Sequence, residues 1–348
     1  MKLRYIKYFL VIIVFAYACK KSEDIEEKVE TFLGFQTPKN FPETAYNFAN
    51  NPITKEGFEL GRMLFYEPRL SRDNTITCGS CHIQASAFTQ HGHDVSHGID
   101  DRLGTRNSPP IMNLAWSKAF MWGGGIYDLD LFPISPITAH EEMDESLENV
   151  LNKLSAMDKY KSKFKAAFGK ANITTANFLK ALSQFMLMCV SSNAKYDKVM
   201  RKDDNVSFTA VELEGYELFT QKCASCHTEP LFTDNGFRNN GLAPSAINDL
   251  GLYTATLLNA DKYKFKVPSL RNLKYTAPYM HDGRFLTLDA VFMHYTHEVQ
   301  ATENLDPLLN KNGARGISIN NDEKTKLMAF LNTLNDEDFI NNKLLAEQ

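Results

Sequence analysis

Cys78-Gly79-Ser80-Cys81-His82 and Cys223-Ala224-Ser225-Cys226-His227 each set two thiols one helical turn apart with a histidine directly after them. C-x-x-C-H is the attachment pattern of a c-type haem: the thiols add to the two vinyl groups and the histidine ligates the iron. A zinc site would need four ligands converging on one metal, and a dithiol redox site would leave the histidine without a task. Repetition of the whole pattern predicts two covalent haems, on Cys78 and Cys81 and on Cys223 and Cys226. His82 and His227 are the expected proximal iron ligands.

Four of the six cysteines are thereby used. Cys189 lies in the apolar run Phe185 to Val190, where a free cysteine behaves as a small buried hydrophobe. Cys19 belongs to the N-terminus. Lys2, Arg4 and Lys7 precede an apolar run from Tyr8 to Ala18, which reads as a secretory signal over residues 1–18 and is too short to span a membrane comfortably. Ala16 and Ala18, followed by Cys19 and the polar Lys20-Lys21-Ser22, resemble the lipobox of bacterial lipoproteins, so Cys19 is the expected lipidation site. A free periplasmic protein after ordinary signal cleavage is the alternative. Either reading exports the chain, and c-type haem is attached outside the cytoplasm.

The 348 residues, 43% hydrophobic and 23% charged, suffice to bury a sizeable core, and a net charge of -4 argues against nucleic acid as a partner. Residues 19–50, charged and then proline-bearing, read as a tether. A helix is predicted from about Thr54, on the stripe Phe58, Leu60, Met63, Leu64 and Phe65, and stopped by Pro68. Its Gly61-Arg62-Met63-Leu64-Phe65 matches Gly215-Tyr216-Glu217-Leu218-Phe219 before the second motif. After the motifs come Phe88-Thr89 and Phe232-Thr233. Helix, haem motif and aromatic thus recur as a unit about 145 residues apart. The expected fold is mainly α, with two cytochrome c-like haem domains in tandem, residues 51–205 and 206–348. Between the motifs, Ser146 to Phe168 reads as one amphipathic stretch closing at Gly169, and a helix is predicted over about Thr175 to Val190. A last helix is expected over about Asp322 to Leu334.

The order of motifs resembles the bacterial di-haem cytochrome c peroxidase family, together with relatives that oxidise a protein to mature a tryptophylquinone cofactor. Beyond the haem pairs, the resemblance rests on Leu60 to Phe65, Arg106-Asn107-Ser108-Pro109, Met121-Trp122-Gly123-Gly124, Pro268 to Asn272 and Ala277 to Arg284. It implies that the haem on His82 reacts with peroxide while the haem on His227 accepts electrons from a donor. Trp122 matches the tryptophan between the haems that helps electrons cross; apart from the resemblance it reads as a core aromatic beside a glycine turn. Glu142 matches the carboxylate of the peroxide pocket, with Glu141 as the alternative. An acid suits that place, because cleaving peroxide requires a proton to move from the near oxygen to the departing one.

Two positions depart from the family pattern. Phe132 stands where many relatives carry a pocket glutamine, implying a drier pocket. Ile99 stands where a histidine often blocks the resting peroxidatic iron, and isoleucine cannot bind iron. His91, His93 and His97 lie nearby, with His97 the candidate if the loop shifts. The expectation is a haem on His82 open at its sixth position without prior reduction.

For the second haem the resemblance places the distal ligand at Tyr295, as in the cofactor-maturing relatives, where classical peroxidases have methionine. Met293 is the alternative; on a helix it points about 200 degrees away, so only one of them can face the iron. His281 is expected beside the site and Met280 in the core. The resemblance also implies a calcium ion, held by the Asn107 side chain and the carbonyls of Thr276 and Pro278, in an oxygen shell of the kind calcium accepts.

The activity implied is reduction of hydrogen peroxide to water, with a small cytochrome c or copper protein as electron donor. The location is the periplasm, at a membrane through the lipid anchor, with a homodimer as an option. One rival is an enzyme that uses peroxide to oxidise a protein or organic substrate. Another is a lipid-anchored di-haem electron carrier.

Overall fold

Thr54 starts the first helix of the computed structural model, which describes residues 32–311 and 313–348. The signal, Cys19 and the first part of the tether lie outside the described residues. The Thr54 hydroxyl accepts the Gly57 N–H, and Lys55–Phe65 follows, burying Phe58, Leu60, Leu64 and Phe65 as the stripe predicts. This helix packs on Thr175–Met188. Gly61 permits the close approach, since a Cβ there would lie 2.0 Å from the Ala181 carbonyl oxygen.

The same arrangement returns in the second half. Ala210–Lys222 packs on Asn321–Asn332, and a Cβ on Gly215 would lie 2.0 Å from the Lys326 carbonyl oxygen. Each pair carries a matching aromatic cluster. Phe185 contacts Phe65 and Phe88 at 4.8 and 6.1 Å between ring centroids, and Phe330 contacts Phe219 and Phe232 at 5.1 and 6.1 Å. Full burial of each such ring contributes about 1.5–3 kcal/mol.

The repeat extends where the sequences have diverged. Asn113 and Asn272 are both left-handed, at φ 57 and 62. Their amides donate to Cys189 and Leu334, just past the second helix of each pair, and their carboxamide oxygens accept from the Ser191 and Asp336 amides. Two bridged loops follow, Phe120 to Ile126 and Tyr279 to Phe285, entered by left-handed Met121 and Met280. Trp122 and His281 come next and are counterparts.

Residues 146–168 form two helices rather than one, Leu147–Ser155 and Asp158–Phe168, with Met157 extended between them. A continuous helix would carry the buried stripe of Val150 and Leu154 on to Asp158. The break instead turns Tyr160 and Phe164 inward, where the Tyr160 hydroxyl donates to Glu67. The last helix has the predicted place, its start fixed by reciprocal bonds between Asn320 and Glu323.

Leu33–Gln348 forms one unit. Tyr196 packs among Phe219, Phe232 and Phe330. The chain end returns to the first helix pair, where Tyr66 and Arg62 donate to the Leu345 and Leu344 carbonyls and Gln84 to that of Asn342. Strands among the described residues are two short antiparallel ribbons, Phe237–Arg238 with Phe265–Lys266 and Asn310–Lys311 with Ala314–Arg315. The fold is mainly helical. No helix among the described residues is long and apolar enough to cross a membrane.

Candidate haem sites and active site

Cys78–Cys81 is a single helical turn capped by Thr77, whose hydroxyl accepts the Ser80 N–H while the Ser80 hydroxyl accepts that of Thr77. The turn ends at His82. Its Nδ1–H donates to the Phe88 carbonyl at 2.9 Å, and the Pro109 carbonyl also acts on the ring. A carbonyl can only accept, so the proton sits on Nδ1 and the Nε2 lone pair is left for a metal. Burial pushes this imidazole down to about 4, which keeps it neutral.

The second motif repeats the device. His227 Nδ1–H faces the carbonyls of Phe232 and Pro268 at 3.2 and 3.1 Å, and burial again lowers its pKa. Phe88 and Phe232 are left-handed, at φ 59 and 56, the turn that aims each carbonyl back at its histidine. All four motif cysteines are free thiols, and burial pushes Cys78 and Cys223 up to about 12.

A cavity of about 460 Å³ opens beside Cys223, Cys226 and His227, lined also by Met280, His281 and Tyr295. Its size is that of a cofactor pocket, about 300–1,000 Å³. Free thiols, an imidazole with Nε2 available and an apolar lining fit a covalent haem. Tyr295 and Met293 part company here. Leu288–Met293 runs into a π-turn, His294–Glu298, which presents Tyr295 to the cavity, while Met293 is 50% exposed. Burial pushes the Tyr295 phenol up to about 12, opposed by a hydrogen bond with Asn240.

In the first half, Glu142 is partly buried and Glu141 exposed. The Glu142 carboxyl acts electrostatically on Cys78 and Cys81 and has no hydrogen-bond partner among the described residues. Burial, and then the charge of Glu141, raise its pKa. Ile99 is fully buried and its amide donates to the Glu142 carbonyl at 2.8 Å, so the loop that lacks the blocking histidine instead fixes the backbone of the acid. His97 is turned to the surface, bonded to Asp101 at 2.5 Å, and His91 contacts the Ser86 hydroxyl. Phe132 is buried against Phe120.

Trp122 lines both the large cavity and a smaller one of about 90 Å³ that also holds Pro109 and Phe132. Its indole N–H donates to the Asn107 carbonyl at 2.8 Å. Asn107 in turn donates its amide to His281 and its side-chain NH₂ to Asp94. Asn107, Thr276 and Pro278 share the wall of the large cavity. No group of three or more His, Cys, Asp or Glu among the described residues is arranged to hold a metal.

Sequence reasoning missed the groups that act through the backbone: the carbonyls of Phe88, Phe232, Pro109 and Pro268. The recurring Phe-Thr after each motif was their one visible signal. It also missed Asn240, which meets Tyr295 and donates to Met280 Sδ, and the stack of His281 on Phe265 at 3.6 Å.

A family model described as di-haem cytochrome c peroxidase matches residues 55–205. The methylamine utilization protein MauG of Methylorubrum extorquens is 35% identical over 85% of this chain and 83% of its own. The cytochrome c551 peroxidase of Nitrosomonas europaea is 33% identical over 82% of each. Among solved structures, a MauG-like protein associated with microbial copper homeostasis superposes with a TM-score of 0.81 at 30% identity, covering 90% of this chain and 98% of that one. With two c-haem attachment turns built alike and relatives that span nearly its whole described length, this chain belongs to the di-haem cytochrome c peroxidase family.

Proposed function

We propose that the chain is an exported enzyme that reduces hydrogen peroxide to water with electrons from a small cytochrome c or copper protein. Two tandem haem domains, residues 51–205 and 206–348, carry it. The observation that bears most weight is Glu142, a carboxyl next to the first attachment cysteines with a raised pKa and no competing partner. An electron carrier has no use for such an acid. His82 and His227 would each hold a haem iron, the first supplying the redox centre for peroxide and the second the entry point for the donor's electrons.

The protein's own groups do the rest. Phe88, Pro109, Phe232 and Pro268 hold both histidines in the ligating tautomer. Glu142 takes a proton from one peroxide oxygen and returns it to the departing one. Trp122 bridges the walls of the two cavities and offers electrons a conjugated stop between them. The buried Ile99 and the outward His97 support the reading that no side chain of that loop would compete with peroxide at a haem held by His82. Tyr295 is the proposed distal ligand of the other. A calcium ion on Asn107 and the carbonyls of Thr276 and Pro278 belongs to the same reading, supported by their shared cavity wall. The periplasmic location, with a lipid anchor at Cys19, rests on the N-terminal sequence alone.

A second reading, oxidation of a protein or organic substrate by peroxide, is favoured by one observation: Tyr295 rather than Met293 faces the second cavity. Steady-state oxidation of a reduced cytochrome c on addition of peroxide, without pre-reduction of the enzyme, separates the two. Rapid turnover from the start upholds the peroxidase. Slow donor oxidation with a long-lived oxidised di-haem species overturns it in favour of the second reading.

A further inference from the structure

Lys266 sits where the two cavities meet. It lines both, and its amide donates to the Trp122 carbonyl at 2.8 Å. Its ammonium has one hydrogen bond among the described residues, a long one of 3.4 Å to the neutral Ser117 hydroxyl, and no ion pair. The other charged groups of these walls are placed differently. Arg238 is held by Asp234 and Asp306, Lys222 by Glu323, and Lys311 is exposed. Among the described residues the only acid on either wall, Asp306, is thus already committed, and the smaller cavity has none. Burial lowers the Lys266 pKa to about 8, as expected of an ammonium deprived of water and of a counter-ion. Lys266 is half-buried, and an ammonium that has lost part of its hydration with no counter-ion either releases its proton or is held in the charged form by an anion that joins it.

We propose that Lys266 is an anion-binding residue that holds a carboxylate at the junction of the two cavities, namely a haem propionate. The proposal rests on the di-haem reading, and it makes Lys266 a positioning residue: it fixes the edge of a haem beside Trp122 and stabilises that haem's reduced state by a nearby positive charge. The carboxylate can come from the haem on His227 or from the haem on His82, and the experiment distinguishes them.

Holoprotein carrying Lys266→Met, Lys266→Gln or Lys266→Arg would be titrated spectroelectrochemically, with the haem content per chain measured separately. Two haems per chain in the parent uphold the di-haem reading independently of Lys266. The expected result is a downward shift of midpoint potential in one haem for the Met and Gln variants, restored by Arg, with a shifted propionate bending band in the resonance Raman spectrum. The haem that shifts is the source of the carboxylate. Potentials and Raman bands equal to the parent's in both neutral variants would overturn the proposal, as would a shift that Arg fails to restore. Gln keeps much of the chain length of Lys, so the test stands if Met fails to fold.

Discussion

Asn107 and Lys266 are counterparts that clasp across the molecule: the Asn107 amide donates to the His281 carbonyl and the Lys266 amide to the Trp122 carbonyl, each at 2.8 Å. Trp122 and His281 are themselves counterparts, so each half grips the loop of the other through the residue two places before its proline. The difference lies in the side chains. Trp122 adds its indole N–H to the Asn107 carbonyl, whereas His281 is bound there by main chain alone.

Replacing Trp122 by Phe therefore strips the Asn107 carbonyl of its partner in a residue that is 4% exposed. The expected loss is about 1–3 kcal/mol. His281→Phe keeps the amide bond and a ring to stack on Phe265, and is expected to cost less. Denaturant midpoints of the two holoprotein variants check this. A Trp122→Phe variant as stable as the parent would refute the anchoring role.

The glycines at the two helix crossings make a matched pair of predictions. A methyl on Gly61 or Gly215 would meet a backbone oxygen at 2.0 Å, and backbone cannot swing aside as a side chain can. Gly61→Ala and Gly215→Ala should each lower stability by about 1–3 kcal/mol, the usual penalty of overpacking. Thermal unfolding of the two variants is the measurement, and a neutral effect at either site would deny that crossing its close contact.

These glycines were legible because they sit in matching local sequence, Gly61 to Phe65 and Gly215 to Phe219, as were both haem motifs and the Phe-Thr behind each. The later half of the repeat was not. Asn113 and Asn272, or Met121 and Met280, are equivalent through backbone conformation and long-range bonds, which a single sequence does not display. Trp122 and His281 differ in size and in what their rings bond, so the resemblance to a family picked out Trp122 and set His281 beside the site without relating the two. The break at Met157 escaped for a related reason. Periodicity showed one amphipathic stretch and not that its phase slips between Leu154 and Tyr160.

Arg271 and Asp197 form an ion pair in which both side chains are fully buried, joined by two bonds of 2.8 Å. The guanidinium also donates to the Pro230 carbonyl and lies over Phe41 and Phe232, so it ties the tether end to the second haem turn. Arg271→Met leaves a buried carboxylate without its partner and is expected to cost about 3–5 kcal/mol. Arg271→Met combined with Asp197→Leu should recover much of this. Stability of the single and double variants by denaturant titration decides; a double variant no better than the single would show that the carboxylate is not the source of the loss.

Tyr295→Phe should convert the haem on His227 to a high-spin ferric form, because the phenol that faces the cavity is gone. Met293→Leu, on an exposed side chain, should leave the spectrum as it was. Electron paramagnetic resonance of the two ferric holoproteins reads this directly. The reverse outcome would place Met293 on the iron and require the π-turn to unwind.

Replacing Glu142 by Gln should move stability and turnover in opposite directions. Burial raises the Glu142 pKa above the ordinary carboxylate range, so the folded protein holds this proton more firmly than the unfolded chain does. The stability so gained is fully present below the unfolded glutamate pKa and is lost as pH rises through the higher folded value. Glu142→Gln is neutral throughout and suffers no such loss. The variant should match the parent in acid and exceed its stability at neutral and alkaline pH. Peroxide reduction should fall by about 100-fold or more, since the amide cannot relay a proton. A parallel pair of measurements, denaturant midpoints against pH and peroxide turnover of the same two holoproteins, tests both. If the stability curves run parallel while turnover collapses, the carboxylate is not desolvated in the folded state. If turnover survives, the proton comes from elsewhere, and the assignment of this acid to the peroxide pocket falls.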